Sequence, residues 1–248
     1  MAMLVTRPQP DNEATAASLR AKGFEVLLAP MLRFEPVAFA ADPDAAYGGI
    51  IVTSANALRA IEGQAAVAQL LGLPLFAVGS RTAQAASEVG FKNVIVAGGD
   101  ASALRDTIVA AARGRKLKKS DTLLYLSGAD IARDLPGELR ALGFNIATQT
   151  AYKMISVPTL PGDVCDAFAA NRVEAVLHYS GRSARSFLDA ARAAGIEISA
   201  LAIPQCCLSE AVAAVVHEAG AARVIVASQP NEAALFEVLD RALAPPVR

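Results

Sequence analysis

Tryptophan is absent from the chain, aromatic residues make up only 5% of it, and the two histidines and three cysteines are spread over 248 residues. So few histidines exclude a histidine-rich metal centre. The odd cysteine set, Cys165, Cys206 and Cys207, in a chain with no export signal, argues against a disulfide framework. Cys206 and Cys207 stand in an apolar run and are read as buried structural thiols pointing to opposite faces of one strand. His217 and His178 are read as structural imidazoles, although His178 ends a strand beside Tyr179 and Ser180. The formal net charge is −1, so no global field draws the chain to nucleic acid or to a membrane surface. Mean hydropathy is high at +0.37. Yet the richest stretch, Ala211 to Ala227, is interrupted by His217, Glu218 and Arg223 and cannot supply the roughly 20 apolar residues of a spanning helix. Met1 to Thr6 runs straight into Arg7, Pro8 and Asp11, which leaves no signal-peptide core. A cytoplasmic protein is expected. The basic run Arg115-Lys116-Leu117-Lys118-Lys119 lacks aromatic partners and is read as a solvated connector. There is no glycine-rich phosphate loop, no dinucleotide glycine fingerprint and no paired-histidine or Cys-x-x-Cys metal motif.

What is present is aliphatic: hydrophobic residues make up 54% of the chain, arranged as short β-branched runs alternating with helical patterns. Strands are expected at Met3–Thr6, Phe24–Ala29, Gly49–Thr53, Leu75–Val78, Asn93–Val96, Thr122–Leu126, Phe144–Thr148, Ala175–Tyr179, Gln205–Leu208 and Arg223–Ala227. Stretches such as Asp11–Lys22 and Ser102–Ala112 between them carry N-cap residues and helical spacing. This alternation predicts an α/β fold of parallel sheets covered by helices. Gly23, Gly90, Gly143 and Gly220 each close a helical run before a strand.

The same glycines expose an internal duplication. Leu19 to Phe24 matches Leu139 to Phe144 at an offset of 120; Thr53 to Ala57 matches Tyr179 to Ser183 at 126; Glu88 to Ala97 matches Glu218 to Ala227 at 130. Order is kept and the offset only grows, as loop insertions produce. The repeat boundary falls near Lys116–Asp121.

Candidate chemistry lies where strands are expected to turn into helices through small, hydroxyl or amide residues: Thr53-Ser54-Ala55-Asn56, Gly79-Ser80-Arg81-Thr82, Ser127-Gly128-Ala129-Asp130 and Ser180-Gly181-Arg182-Ser183, with Thr6-Arg7-Pro8 as a fifth. Helix N-termini present free N–H groups and partial positive charge, which suit carboxylates and phosphates. Open α/β sheets bind ligands at the carboxyl ends of their strands. Arg7, Arg81, Arg182 and Arg185 are candidate guanidinium forks. Each turn read alone is only a helix cap. Two classes of function remain open here: an enzyme, and a non-catalytic two-lobed protein that binds an anionic metabolite. A duplicated nucleotide-binding enzyme is disfavoured by the missing glycine fingerprints.

Val5-Thr6-Arg7-Pro8, Gly23-Phe24-Glu25-Val26 leading to Pro30, Ile51 to Ala57, Ala77 to Ala83, and Tyr152 within Thr150-Ala151-Tyr152-Lys153 together resemble the uroporphyrinogen-III synthase family, in order and over essentially the whole chain. The resemblance implies two Rossmann-like (flavodoxin-like) lobes joined by a two-stranded hinge, with the active site in the cleft. It implies lobes of residues 1–35 with 157–248 and of 36–156, a division unlike the repeat boundary. It further implies a cofactor-free and metal-free monomer acting on a small linear tetrapyrrole, hydroxymethylbilane, which it cyclises with loss of water and inversion of the last pyrrole ring. Tyr152 would be the catalytic residue. Arg7, Ser54, Asn56, Gly79, Ser80, Arg81, Thr82, Ser127, Gly128, Ser180, Gly181, Arg182 and Ser183 would bind substrate. One departure stands out: Leu208-Ser209-Glu210-Ala211-Val212 replaces the family's glycine and threonine turn in the second half, with Val212 at the repeat position of Thr82.

Overall fold

Short aliphatic runs form the strands because β-branched and leucine side chains pack well on a pleated surface buried on both faces. The computed structural model describes residues 2–39, 45–115, 117–131 and 133–243; Met1, and Lys116 of the basic run, lie outside the described residues. The strands are β1 (Ala2–Val5), β2 (Glu25–Leu28), β3 (Leu32–Pro36), β4 (Tyr47–Val52), β5 (Pro74–Ala77), β6 (Asn93–Val96), β7 (Thr122–Gly128), β8 (Asn145–Ser156), β9 (Val173–His178), β10 (Gln205–Cys207) and β11 (Val224–Val226). The α-helices are α1 (Asp11–Ala21), α2 (Ala55–Ile61), α3 (Ser80–Val89), α4 (Ala101–Arg113), α5 (Leu135–Ala141), α6 (Gly162–Ala169), α7 (Gly181–Ala193), α8 (Glu197–Ala202), α9 (Glu210–Glu218) and α10 (Glu232–Leu243). Gly23, Gly90, Gly143 and Gly220 all take positive φ, which lets the chain leave a helix and enter the next strand without a Cβ penalty.

The chain divides into two compact units, Met1–Phe34 with Ile155–Arg248, and Glu35–Met154. The sheet of the first unit has the order β11-β10-β9-β1-β2, and its neighbours pair in parallel. The second sheet has the order β3-β8-β7-β4-β5-β6, parallel from β8 to β6. Beside β8, β3 runs antiparallel, flanked by bonds from the Val37 amide to the Ala151 carbonyl and from the Val157 amide to the Met31 carbonyl.

Set against the duplication, this topology has a simple rule. The first repeat supplies β1, β2, β4, β5 and β6, and the second supplies β7, β8, β9, β10 and β11. Each sheet takes its first two strands from one repeat and its last three from the other, and both then have the doubly wound order 2-1-3-4-5. The two repeats have exchanged their opening strand pairs.

In the first unit, alternation along β1 sends Leu4 to one core and Met3 and Val5 to the other. Leu4, Val176 and Cys207 pack with Phe168, Phe187 and Val216 from α6, α7 and α9. Met3, Val5 and Cys206 pack with Leu19 of α1 and with Leu235 and Leu239 of α10. Cys206 and Cys207 therefore do face opposite sides of β10, and burial pushes both thiols up to about 12. His178 is fully buried at the end of β9 and makes a 2.8 Å bond to Gln205 Oε1. The Gln205 amide nitrogen donates to the Ala200 and Ile203 carbonyls, so Oε1 is the acceptor and His178 carries its proton on Nε2. Burial lowers the imidazole to about 4, leaving it neutral and structural. His217, by contrast, is exposed at the end of α9 and takes no part in a core. In the second unit, Ile51, Phe76, Leu123 and Tyr125 pack against Leu104 and Ile108 of α4 and Leu135 and Leu139 of α5. Each such large side chain contributes about 1.5–3 kcal/mol through its burial.

Two sequence expectations need correction. The Ser127–Asp130 segment does not enter a helix. β7 continues through Gly128, and α5 starts only at Leu135, where the Asp134 carboxylate caps the Gly137 amide at 2.9 Å. The strand expected at Phe144–Thr148 runs on to Ser156, because its distal half pairs with β3, a strand the sequence reading does not include.

Candidate active site

A parallel sheet that turns both ways has one switch point, between its first and third strands, where the outgoing chain ends leave a crevice. In the first unit this lies between β1 and β9, and in the second between β7 and β4. Equivalent positions of the two repeats fill these crevices differently.

The first unit's crevice holds a closed network. One nitrogen of Arg7 donates to Thr15 Oγ1 at 3.2 Å and to Glu232 Oε1 at 3.1 Å, and the other reaches Asp11 at 3.3 Å. Thr15 and Tyr179 hydroxyls donate to the same Glu232 oxygen at 2.5 and 2.9 Å. The guanidinium carbon lies 4.6 Å from the centre of the Tyr179 ring. Burial and the Glu232 carboxylate push the Tyr179 phenol further up, so it stays a neutral donor. The sequence marks Arg7 as a fork for substrate; in the structure its charge is already met by two carboxylates.

The second unit's crevice is open. A cavity of about 240 Å³ is lined by Thr53, Tyr125, Ser127, Gly128 and Tyr152, with Asp130, Ile131, Arg133 and Leu135 among its remaining lining residues. Tyr125 and Thr53 hydroxyls are 3.1 Å apart, and burial raises the Tyr125 phenol, which therefore remains protonated. Tyr152 lies on Gly128: a Cβ there would come within 2.8 Å of the ring's Cζ and 3.0 Å of its hydroxyl. Only glycine allows the phenol to rest where it does. The Ser127 hydroxyl is buried in this wall and has no hydrogen-bond partner among the described residues. Three predicted residues, Ser127, Gly128 and Tyr152, thus meet at one cavity. Thr53, which opens one of the candidate turns, joins them, as does Tyr125, which the sequence reading does not name as a site residue. The signal for Tyr125 was alternation: it precedes Ser127 by two on β7 and shares its side of the strand.

The remaining candidates sit at helix starts. Ser54 caps α2, its hydroxyl accepting from the Asn56 amide at 3.2 Å. Asn56 Oδ1 accepts from Arg59 at 2.7 Å. Gly79 is the extended cap of α3, and the exposed Ser80 is the first helical residue. Arg81 faces a separate cavity of about 260 Å³ between α2 and α3, shared with Glu62 and Glu88. Thr82 is buried, as is its counterpart Val212, so the Thr82 side chain packs inward. Ser180 caps α7, accepting from the Ser183 amide at 3.1 Å and donating to the Ser183 hydroxyl at 2.9 Å. Ser183 is buried, Gly181 is the first residue of α7, and Arg182 and Arg185 are exposed. No helix among the described residues is long and apolar enough to cross a membrane, and no metal-ligand cluster occurs among them.

Comparison with known proteins gives a consistent result. Residues 13–237 match the family model of uroporphyrinogen-III synthase HemD. Over 98% of this chain and 99% of the other, the structure is similar to the uroporphyrinogen-III synthetase of Helicobacter pylori 26695, at 16% identity and a TM-score of 0.68. It is likewise similar to a mutant uroporphyrinogen III synthase of the extremely thermophilic bacterium Thermus thermophilus, at 16% identity, a TM-score of 0.56 and 98% coverage of both chains. No curated protein matches the chain.

Proposed function

The chain belongs to the uroporphyrinogen-III synthase family and is an enzyme of tetrapyrrole biosynthesis, a hydro-lyase; from that premise we propose that it closes hydroxymethylbilane to uroporphyrinogen III, with loss of water and inversion of the last pyrrole ring. The observation that carries the assignment of roles is the open crevice of the second unit, where Tyr152 rests on Gly128 above a hydroxyl-lined cavity. The Tyr152 phenol donates a hydrogen bond to the departing hydroxyl. Its loss leaves a reactive azafulvene that closes on its own to the wrong isomer. The protein's main task is therefore to hold the chain ends in the geometry that gives ring inversion, which is catalysis by positioning.

The substrate carries eight carboxylates. The N–H groups at the starts of α3 and α7, around Gly79, Ser80 and Gly181, serve as donors for them, as backbone groups at helix N-termini do. Ser54, Asn56, Thr82, Ser180 and Ser183 support those turns. Arg81, Arg182 and Arg7 contribute positive charge, Arg7 only from within its network. We assign the working lobes to residues 1–35 with 157–248 and 36–156, and the enzyme acts as a cytoplasmic monomer without a cofactor. The rival reading, a non-catalytic binding protein, is not favoured by the family match.

The test is to incubate the protein with freshly prepared hydroxymethylbilane and separate the product isomers. Type III product in excess over the spontaneous type I supports the reading, and type I alone overturns it. Tyr152→Phe is expected to slow type III formation by about 10²-fold or less, the low end for general-acid assistance. A Tyr152→Phe protein as fast as its parent at saturating substrate, with chemistry rate-limiting, removes the tyrosine from the mechanism.

A further inference from the structure

We propose that the small cavity lined by Ser127 and Tyr152 is a subsite for one carboxylate arm of the tetrapyrrole, and that the Ser127 hydroxyl, on a residue the resemblance places only loosely among the substrate contacts, is the donor to that arm. The inference rests on the functional reading above and extends it to a side chain and a subsite. Ser127 is 3% exposed, and its Oγ has no hydrogen-bond partner among the described residues. Buried hydroxyls are normally satisfied, and one left without an acceptor is costly to keep. A serine retained in that state at the end of β7, in the wall of a 240 Å³ cavity, is placed to serve an acceptor that arrives from outside.

The lining narrows the acceptor's chemistry. Tyr125 and Thr53 are bonded to each other at 3.1 Å, which commits one of their two protons and leaves the other for a ligand. The cavity thus offers hydroxyl donors, and Arg133 is the one basic side chain in its lining. Its charge is offset by Asp130 in the same lining, and it is already held by Glu138 at 2.6 Å and Ser102 at 2.6 Å. Neutral donors without a fixed cation bind a carboxylate through directed hydrogen bonds and reject an ester, which keeps the shape but loses most of the acceptor strength. The volume admits an acetate- or propionate-sized arm.

Ser127→Ala separates this role from a structural one. Removing an unsatisfied buried hydroxyl leaves the melting temperature unchanged or raised. Losing a hydrogen bond to a carboxylate raises KM for hydroxymethylbilane at least tenfold with kcat little changed, the pattern for binding energy shared by ground and transition states. Ser127→Thr, which keeps the hydroxyl, is expected to restore most of that loss. Direct binding of uroporphyrin III, followed by its fluorescence, supplies an arm independent of turnover. Ser127→Ala should weaken the octa-acid at least tenfold and leave its octamethyl ester unaffected. A parent that forms type III product, with Ser127→Ala changed less than threefold in both KM and uroporphyrin affinity, overturns this inference alone and leaves water as the only acceptor. A parent that neither forms type III product nor binds uroporphyrin overturns the functional reading, and this inference with it.

Discussion

The two sheets share one strand order, yet the first unit's switch point is filled by a side-chain network while the second unit's holds a cavity. The repeat makes the comparison residue by residue. Arg7 corresponds to Ser127, and Tyr179 corresponds to Thr53. Where the first unit has a guanidinium stacked on a phenol and locked by Glu232, the second has two short hydroxyl side chains and space. A duplicated fold thus repeats the location of a crevice, and side-chain size at two strand ends decides whether it is filled or left as a cavity.

The most damaging way to break that contrast is to close the open crevice with the first unit's own residue. Thr53→Tyr is expected to lower kcat/KM by about 10²-fold or more, since displacement of reacting groups by an ångström costs on that order. Melting temperature measured alongside should fall only slightly. A Thr53→Tyr enzyme of normal activity shows that the crevice is not used.

Acid should separate the units next. Both histidines of the chain, His178 and His217, lie in the first unit. His178 is held neutral by burial, with its folded value lowered from 6.5 to about 4. A lowered folded value means the unfolded chain takes up the proton first. Stability is therefore full above pH 6.5 and is lost as pH falls toward 4, by about 3 kcal/mol. Hydrogen exchange across that range is expected to show β9 and β1 opening before β4 and β7. His178→Asn should flatten the slope; equal acid sensitivity in both units contradicts the account.

A gentler test concerns the backbone donors. Ser80 and Gly181 are the first helical residues of α3 and α7, and the residues before them, Gly79 and Ser180, are extended. Proline is tolerated there, so substitution removes one N–H and keeps the helix. Ser80→Pro and Gly181→Pro should each raise KM about tenfold, the scale of one hydrogen bond to a charged group. Normal KM in both means that side chains, not the backbone, hold the carboxylates.

The smallest effect is expected at the plug. Tyr179→Phe removes one of the donors to Glu232 while Arg7 and Thr15 remain, and should cost about 1 kcal/mol of stability or less with kcat unchanged. A large loss of activity in Tyr179→Phe moves chemistry into the first unit and reverses the comparison.

Much of the fold is legible in the sequence. β6 is located there to the residue, and positive-φ glycines close the expected helices, because aliphatic runs and C-terminal glycines are local signals. The class of fold follows from their alternation. β3 is not legible: Leu32-Arg33-Phe34-Glu35-Pro36 carries charge and proline, and becomes a strand because it borders the second half of β8. The Ser127 turn misleads because serine and glycine after a strand look like a cap, whereas the effective signal, Asp134 ahead of Pro136, comes later. At the site, Tyr152, Ser127 and Gly128 are within reach of motif and resemblance. The fate of Arg7 is not, since its partner Glu232 is 225 residues away in sequence.

The exchanged strand pairs also set a problem in the order of synthesis. β1 leaves the ribosome well before its partner β9, which begins 171 residues later, Ala2 pairing with Val173. At typical elongation rates that is a wait on the order of ten seconds or more. Meanwhile β4, whose repeat position is that of β9, emerges early and offers β1 an equivalent but wrong seat. Correct assembly requires β7 to take that seat, so β1 has to stay off β4 until residues 122–128 have been made.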